Sequence, residues 1–222
     1  MPTDMKIFLD TADTSIIEKY FATGLIDGVT TNPTLIKKSG RDPLEVYQEL
    51  KDLGLLDISM EVVGDADEMI KEGKGLYDTF GDCCTVKVPC SPDGLAACRE
   101  LSESGIRVNV TLIFSQVQAI LASKAGAAYV SPFVGRVDDN SFGGICLVKD
   151  IVNVFKEHFT PTNVLAASVR NVRDVGRLFE HGAEIVTMPP AVFEKMYNHI
   201  LTDKGLELFQ ADWESVTENL TS

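Results

Sequence analysis

A lysine inside a short apolar segment is the most unusual chemical feature of this sequence. Lys87 stands between two valines in the segment TVKVP (85–89). Because an unpaired buried ammonium is costly, such a lysine needs either a structural ion pair or a chemical task. The structural alternative is a pair with a carboxylate such as Glu61 or Asp10. The functional alternative is a desolvated amine that attacks a carbonyl group and forms an imine.

Polar residues recur at alternate positions within short apolar segments along most of the chain. Their apolar neighbours have the opposite parity, so the two sets point to opposite faces of a strand. In a barrel of parallel strands, inward-pointing residues near the strand C-termini meet at one mouth. The residues that this pattern selects, from all but the last predicted strand, are Asp10, Thr30, Asn32, Glu61, Lys87, Asn109, Thr111, Ser131, Phe133 and Ser168.

Asp10 and Glu61 are the carboxylates that this arrangement brings towards the lysine. Imine chemistry needs groups that give and take protons, and two carboxylates can divide these tasks. Asp10 has an alternative role, because it precedes the helical segment 11–21 and could cap that helix. Glu61 is followed by two valines, which fits a capping role less well.

Strand-like and helix-like segments alternate from one end of the chain to the other. One strand and one helix recur about every 25 residues, which is typical of βαβ units with a parallel sheet. Eight such units favour an α/β fold of the closed (β/α)8, or TIM-barrel, type, and the alternative is an open doubly wound sheet. The predicted strands are 6–10, 28–32, 58–62, 84–89, 107–113, 128–133, 163–168 and 184–188, and the predicted helices include 42–54, 91–105, 115–126, 146–159 and 171–182.

Residues 1–222 are expected to form a single barrel domain, in which 203–222 is a helical C-terminal extension. The tail predicts one helix over 190–201 and a second over 204–216. Leu206, Phe209 and Trp213 lie on one face of the second helix. This stripe is expected to cover either the chain's own barrel or a neighbouring subunit.

The composition is acidic, with a formal net charge of −13. This charge argues against nucleic acid and anionic membrane as partners, because both require a basic surface. A phosphate ligand would need a local reversal of the field. Arg136 and Arg170, which follow the sixth and seventh predicted strands, can supply it.

The five cysteines form no CxxC pair, so the sequence indicates neither a disulfide framework nor a zinc site. The three histidines fall in helical segments and form no ligand cluster, and no metal site is expected. The start MPTDMKIFLD lacks the pattern of a secretory signal, and no segment reaches transmembrane length. The expected location is the cytoplasm.

Six motifs together resemble the small, short-chain transaldolases over nearly the whole chain. Fructose-6-phosphate aldolase is a close relative of that family and shares the barrel and the lysine. The motifs are FLDTAD (8–13), GVTTNPTLI (28–36), TVKVP (85–89), NVTLIFS (109–115), SPFVGR (131–136) and AASVRN (166–171).

The resemblance implies a role for each matching residue. Lys87 corresponds to the lysine that forms the Schiff base, and Asp10 to the acid–base carboxylate. Glu61 and Thr111 correspond to the pair that holds a catalytic water. The residues implied to bind substrate are Asn32 and Asn109 (hydroxyl groups), Thr30 on the same wall, Ser131 and Phe133 on the sixth strand, and Arg136, Ser168 and Arg170 (phosphate).

The resemblance further implies transfer of a dihydroxyacetone unit from sedoheptulose 7-phosphate to glyceraldehyde 3-phosphate in the pentose phosphate pathway. It implies no cofactor, and a ring-like homo-oligomer that in the small subfamily is usually a decamer. Two alternatives stay open at this point. One is an aldolase, which releases dihydroxyacetone to water, and the other is a non-catalytic barrel that binds sugar phosphates. Glu61 and Phe133 favour the transferase, because the aldolase pattern has Gln and Tyr at these positions.

Overall fold

The computed structural model describes residues 5–221, with side chains described as far as residue 217. Residues 1–4 of the predicted N-terminal segment and Ser222 of the predicted extension lie outside the described residues. The described chain forms eight parallel strands that close into a barrel in chain order, followed by a C-terminal helix. The predicted (β/α)8 fold is therefore confirmed, and the open doubly wound sheet is wrong.

The strands lie where the alternating segments predicted them, although several are shorter. β1 pairs with both β2 and β8, which closes the barrel. Asn32, Phe133 and Ser168, which were expected on strands, lie just beyond the strand ends. The strands are β1 (Lys6–Asp10), β2 (Gly28–Thr30), β3 (Ile58–Glu61), β4 (Cys84–Pro89), β5 (Val108–Ile113), β6 (Tyr129–Pro132), β7 (Asn163–Ala166) and β8 (Ile185–Met188).

The helices surround the barrel, and most of those flanked by Asp, Ser or Asn begin at a side-chain cap. Ser91, Ser115 and Asn171 each accept a hydrogen bond from a backbone N–H in the first turn, which stabilises the helix start. The helices are α1 (Thr14–Phe21), α2 (Pro33–Ser39), α3 (Pro43–Asp52), α4 (Ala66–Phe80), α5 (Pro92–Glu103), α6 (Gln116–Lys124), α7 (Val134–Asp139), α8 (Gly144–Glu157), α9 (Val172–Glu180), α10 (Pro190–Lys195) and α11 (Ile200–Thr221). Among the described helices, none is long and apolar enough to cross a bilayer.

The tail divides at a different place from the one predicted. α10 ends at Lys195, whereas 190–201 was predicted as one helix, and α11 is continuous through the predicted break near residue 203. His199 starts the new helix, because its Nδ1 accepts from Leu201 N at 3.2 Å and its carbonyl accepts from Asp203 N. Asp203 in the first turn also suits the helix dipole.

The barrel interior has an apolar floor. Phe8, Leu165 and Ile185 are buried and pack with Tyr129 inside the barrel. Gly28 makes room for this packing, because a Cβ there would lie 2.6 Å from the Phe8 ring. The opposite parity, which includes the valines beside Lys87, packs under the helices in the main core.

A buried polar network joins four strands at the N-terminal end of the barrel. Asp57, which precedes β3, accepts hydrogen bonds from Thr85 Oγ1 at 2.8 Å and Tyr129 OH at 2.6 Å. Arg107 Nη1 pairs with the same carboxylate at 3.0 Å, and Arg107 also donates to the carbonyls of Leu56 and Asp82. Burial and the neighbouring Asp57 carboxylate raise the pKa of Tyr129, so its hydroxyl stays a donor. The sequence pattern did not reveal this network.

Asp57→Ala should destabilise the fold by about 3 kcal/mol, because it leaves a partly buried guanidinium and two buried hydroxyls without their acceptor. Urea unfolding followed by circular dichroism measures the change. Asp150→Ala on α8, where the carboxylate is exposed, is the matched control and should stay within about 0.5 kcal/mol of wild type. Equal stability of the two variants would show that the network does not brace the barrel.

Candidate active site

The mouth at the C-terminal ends of the strands contains a cavity that collects most of the residues selected from the sequence. Glu61, Asn109 and Arg170 lie beside this cavity and are not among its described lining residues. Thr187 and Ala167 line it as well. The lining residues are Asp10, Thr30, Asn32, Lys87, Thr111, Ser131, Phe133, Arg136, Ala167, Ser168 and Thr187.

Lys87 is 5% exposed and lines the cavity. Its Nζ pairs with Glu61 Oε2 at 2.9 Å and donates to the carbonyl oxygen of Thr31 at 2.9 Å. The ion pair that the structural alternative required is therefore present, and Lys87 still lines the cavity.

Asp10 lies at the C-terminal end of β1 and lines the same cavity. Burial raises the pKa of Asp10, although the positive charge of Lys87 and a hydrogen bond from Thr30 oppose this shift. Thr30 Oγ1 donates to Asp10 Oδ1 at 2.8 Å and lies 2.7 Å from Thr187 Oγ1. Asp10 therefore holds its proton at a higher pH than an exposed aspartate does.

The alternative role of Asp10 as a helix cap is wrong. Asp13 caps α1, since its Oδ1 accepts from Ser15 N at 3.1 Å and from Ile16 N at 3.2 Å. These bonds lower the pKa of Asp13. The Asp10 carboxylate is consequently available to the cavity.

Glu61 reaches Lys87 from a separate side. It lines a neighbouring cleft between α2, α3 and α4, together with Tyr47 and Glu72. Thr111 lines the main cavity, and its Oγ1 is buried without a hydrogen-bond partner among the described residues. A buried hydroxyl in this state is expected to bind a water or a ligand.

A backbone irregularity sets the position of Thr111. The register between β5 and β6 shifts between Val110 and Ile113. Leu112, in the middle of the shift, has φ 59°, a left-handed conformation that is uncommon and strained for a branched residue. Bulges of this kind redirect neighbouring side chains, and they are frequent next to active sites.

Asn109 lies beneath the cavity and is fully buried. Its Nδ2 donates to Ser59 Oγ at 3.2 Å, and its Oδ1 accepts from Ser131 Oγ at 2.7 Å. Asn109 is thus linked to the cavity wall through Ser131. Asn32 lines the cavity and also caps α2, because its Oδ1 accepts from Leu35 N at 3.0 Å.

Arg136 and Ser168 form a polar side of the cavity near α7. The Arg136 guanidinium lies over the Phe133 ring, 4.7 Å from its centre. Gly135 allows the first turn of α7 to approach the segment after β7, since Gly135 N donates to Ser168 O at 3.0 Å and a Cβ would lie 2.4 Å from that oxygen. Arg170 forms a two-pronged ion pair with Asp139 instead of lining the cavity.

Two polar residues of this region were missed by the sequence analysis. Thr187 on β8 has the same parity signal as the selected residues, since it stands between Val186 and Met188, and its selection would have completed the set of strands. Ser59 gave a similar but weaker signal on β3.

In the part of the chain that the structure describes, no cluster of His, Cys, Asp and Glu could hold a metal ion.

Comparisons with known proteins agree with this arrangement. A family profile described as "Transaldolase/Fructose-6-phosphate aldolase" matches residues 7–220. The chain is 49% identical to a "probable transaldolase" of Cereibacter sphaeroides (strain ATCC 17025 / ATH 2.4.3), covering 98% of this chain and 100% of the relative. It is also 49% identical to a "probable transaldolase" of Nitrosopumilus maritimus (strain SCM1), covering 96% of each chain.

One solved structure shows a likeness of fold alone. Thiamine phosphate pyrophosphorylase from Pyrococcus furiosus superposes with a TM-score of 0.57 at 14% identity, over 86% of this chain and 88% of that one.

Asp10→Asn should make the protein more stable at neutral pH. The pKa of Asp10 is raised from 3.8 in the folded state. At pH values between the pKa of the unfolded chain and that of the folded protein, the folded protein therefore binds more protons. Its free energy of unfolding falls as the pH rises through that interval. The asparagine removes this loss. Its advantage in Tm over wild type, measured by scanning calorimetry, should be largest above the interval and should shrink as the pH falls towards the ordinary Asp value.

Asp13→Asn is the control, because the pKa of Asp13 is shifted in the opposite direction. It should lower the Tm or leave it unchanged at neutral pH. A lower Tm for Asp10→Asn than for wild type at every pH would contradict the raised pKa.

Proposed function

Because the chain belongs to the transaldolase/fructose-6-phosphate aldolase family, we propose that it is a transaldolase working through a Schiff base on Lys87. It transfers dihydroxyacetone from sedoheptulose 7-phosphate to glyceraldehyde 3-phosphate, and the products are erythrose 4-phosphate and fructose 6-phosphate of the pentose phosphate pathway. One observation carries the proposal. A buried lysine lines the cavity at the mouth of the barrel, where it pairs with Glu61 and its charge also acts on Asp10.

The reaction begins when the Lys87 amine adds to the ketone of the donor and the carbinolamine loses water. The protonated imine draws electrons from the bond between C3 and C4, which breaks as a base removes the proton of the C4 hydroxyl. Erythrose 4-phosphate leaves, and dihydroxyacetone remains on Lys87 as an enamine. The enamine adds to glyceraldehyde 3-phosphate, and water then releases fructose 6-phosphate from the lysine.

Asp10 moves the protons in these steps. Its raised pKa supports this role, because a carboxyl that keeps its proton closer to neutral pH can both donate and accept. The hydrogen bond from Thr30, which is itself in contact with Thr187, orients the carboxyl towards the cavity. General acid–base groups contribute rate factors of about 10² to 10⁴.

Glu61 and Thr111 hold the water that is expelled and taken up again. The unpartnered Thr111 hydroxyl supports this assignment, since a bound water would satisfy it. The 2.9 Å contact between Glu61 and Lys87 Nζ supports a role at the amine itself. As the amine becomes part of a neutral carbinolamine, the carboxylate can take the proton that it loses.

The remaining residues bind the sugar and its phosphate. Thr30, Asn32, Asn109 and Ser131 are assigned to the hydroxyl groups, with Asn109 acting from beneath through Ser131. Phe133 forms part of the wall. Arg136, Ser168 and Arg170 bind the phosphate, and the two arginines offset the acidic net charge of the protein.

Phosphorylated sugars are the partners that we propose, with no nucleic acid, membrane, cofactor or metal taking part. We place the enzyme in the cytoplasm. The five cysteines are free, which supports a reducing compartment.

The tail is proposed to join subunits of a homo-oligomer, as an extension of a single barrel domain. Leu206, Phe209 and Trp213 are 63%, 70% and 66% exposed in the single chain, so the stripe does not fold back on its own barrel. Monomers rarely leave such a patch uncovered, and aromatic anchors often dominate interfaces. A neighbouring subunit would cover it in a ring-like decamer.

Lys87→Met should abolish turnover. Borohydride treatment of this variant in the presence of fructose 6-phosphate should leave no covalent adduct on the protein. Wild type should carry a dihydroxyacetone-sized adduct on Lys87, located by peptide mass spectrometry. Lys87→Arg is the matched control, because it keeps the charge beside Glu61 and therefore the fold, yet its guanidinium forms no imine. An adduct on another lysine, or turnover by Lys87→Arg, would exclude the mechanism.

The acceptor then distinguishes the transferase from the aldolase. With fructose 6-phosphate as donor, wild type should form sedoheptulose 7-phosphate when erythrose 4-phosphate is present and little free dihydroxyacetone when it is absent. Rapid release of dihydroxyacetone without an acceptor would favour the aldolase. Lack of both trapping and turnover would leave the non-catalytic sugar-phosphate-binding barrel.

Removal of residues 203–222 should reduce the assembly to smaller species, as measured by light scattering coupled to size-exclusion chromatography. The exposed stripe is lost while the barrel strands are unchanged, so circular dichroism should show the loss of α11 alone. The double variant Leu206→Ser/Phe209→Ser, which keeps the chain length, controls for loss of the helix as such. Retention of the full-length mass by both proteins would rule out the tail as the subunit contact.

A further inference from the structure

Asp139 and Arg170 form an ion pair at the rim of the cavity. Both Nη atoms of Arg170 contact the two carboxylate oxygens of Asp139, with Nη2 lying 2.6 Å from Oδ2. The two side chains are about half exposed, and the guanidinium lowers the pKa of Asp139. Asp139 is therefore ionised at neutral pH. Its two oxygens accept from the Arg170 guanidinium in the same bidentate way that a phosphate would.

The two arginines assigned to the phosphate are in different states. Arg136, at the start of α7, lines the cavity, whereas Arg170 is not among the described lining residues. Asp139 ends the same short helix, three residues after Arg136, so the two side chains lie on one face of α7. The neighbouring Asp138 is already engaged, because its Oδ1 accepts from Gly144 N at 2.8 Å.

We propose that Asp139 is a positioning residue that holds Arg170 at the rim and exchanges it with the substrate phosphate. This inference rests on the proposed function. A phosphoryl dianion entering beside Arg136 takes the guanidinium from Asp139, and the carboxylate takes it back when the phosphate leaves. Asp139 is thus an internal competitor, and it weakens the binding of phosphate.

In the proposed reaction, this competition would help one phosphorylated sugar to leave before the next one binds. Erythrose 4-phosphate must leave the cavity while dihydroxyacetone is still bound to Lys87, and a second phosphorylated sugar must then enter. An arginine with a nearby alternative partner loses less free energy when the phosphate departs. The exchange involves two exposed groups, so its effect on affinity is moderate.

Asp139→Asn tests the exchange. The variant should bind inorganic phosphate up to about fivefold more tightly than wild type in calorimetric titration, which is the range for an exposed ion pair. The KM for fructose 6-phosphate should fall by a similar factor while kcat changes little. In an Arg170→Ala background the same substitution should have no effect on phosphate binding, because the competition is already removed.

Glu103→Gln is the matched control. It removes one negative charge from another exposed ion pair, that with Arg99 on α5, and should leave phosphate affinity unchanged. Weaker phosphate binding by Asp139→Asn would show that Asp139 is a fixed brace for Arg170, and an unchanged affinity would show that no exchange takes place. If wild type itself binds no phosphate, the inference and the phosphate part of the proposed function fail together. Adduct formation on Lys87 tests the rest of that function separately.

Discussion

The cost of burying one ammonium group governs the design of the barrel mouth. Lys87 lies within an apolar strand, so its charge must be balanced by groups on neighbouring elements. Glu61 on β3 supplies a carboxylate, and Thr31 after β2 supplies a carbonyl oxygen. Asp10 on β1 adds a further negative group whose ionisation is itself opposed by burial. The closure of the barrel is what brings these groups to a single amine.

The same arrangement leaves Lys87 both paired with a carboxylate and part of the cavity lining. A lysine with no partner would destabilise the protein, and one sealed in an ion pair could not meet a substrate. Here the pairing carboxylate approaches from the cleft of α2–α4, while the cavity remains open on the other side. Leu112 keeps an uncommon left-handed conformation next to Thr111, whose hydroxyl has no hydrogen-bond partner among the described residues. Such departures from ideal structure are expected where a site needs them.

Properties that depend on local periodicity could be predicted from the sequence. Alternation with period two located the strands and selected most of the residues that line the cavity. Periodicity does not specify where strand pairing stops. Asn32, Phe133 and Ser168 were therefore expected on strands, although they lie just past the strand ends. The ion pair between Arg170 and Asp139 and the network at Asp57 depend on side chains that meet only in three dimensions. Alternation carries no information about such contacts, so they became visible only in the structure.

The hydrogen-bonded group around Asp57 has a consequence for protein engineering. It joins β3, β4, β5 and β6 at the end of the barrel that faces away from the cavity, and the apolar floor formed with Phe8 lies between the two ends. Closure of the barrel is therefore secured far from the residues that we propose to contact substrates. Libraries that diversify the mouth to accept new aldehydes would leave the hydrogen-bonded group around Asp57 unchanged. A large fraction of their members should therefore still fold.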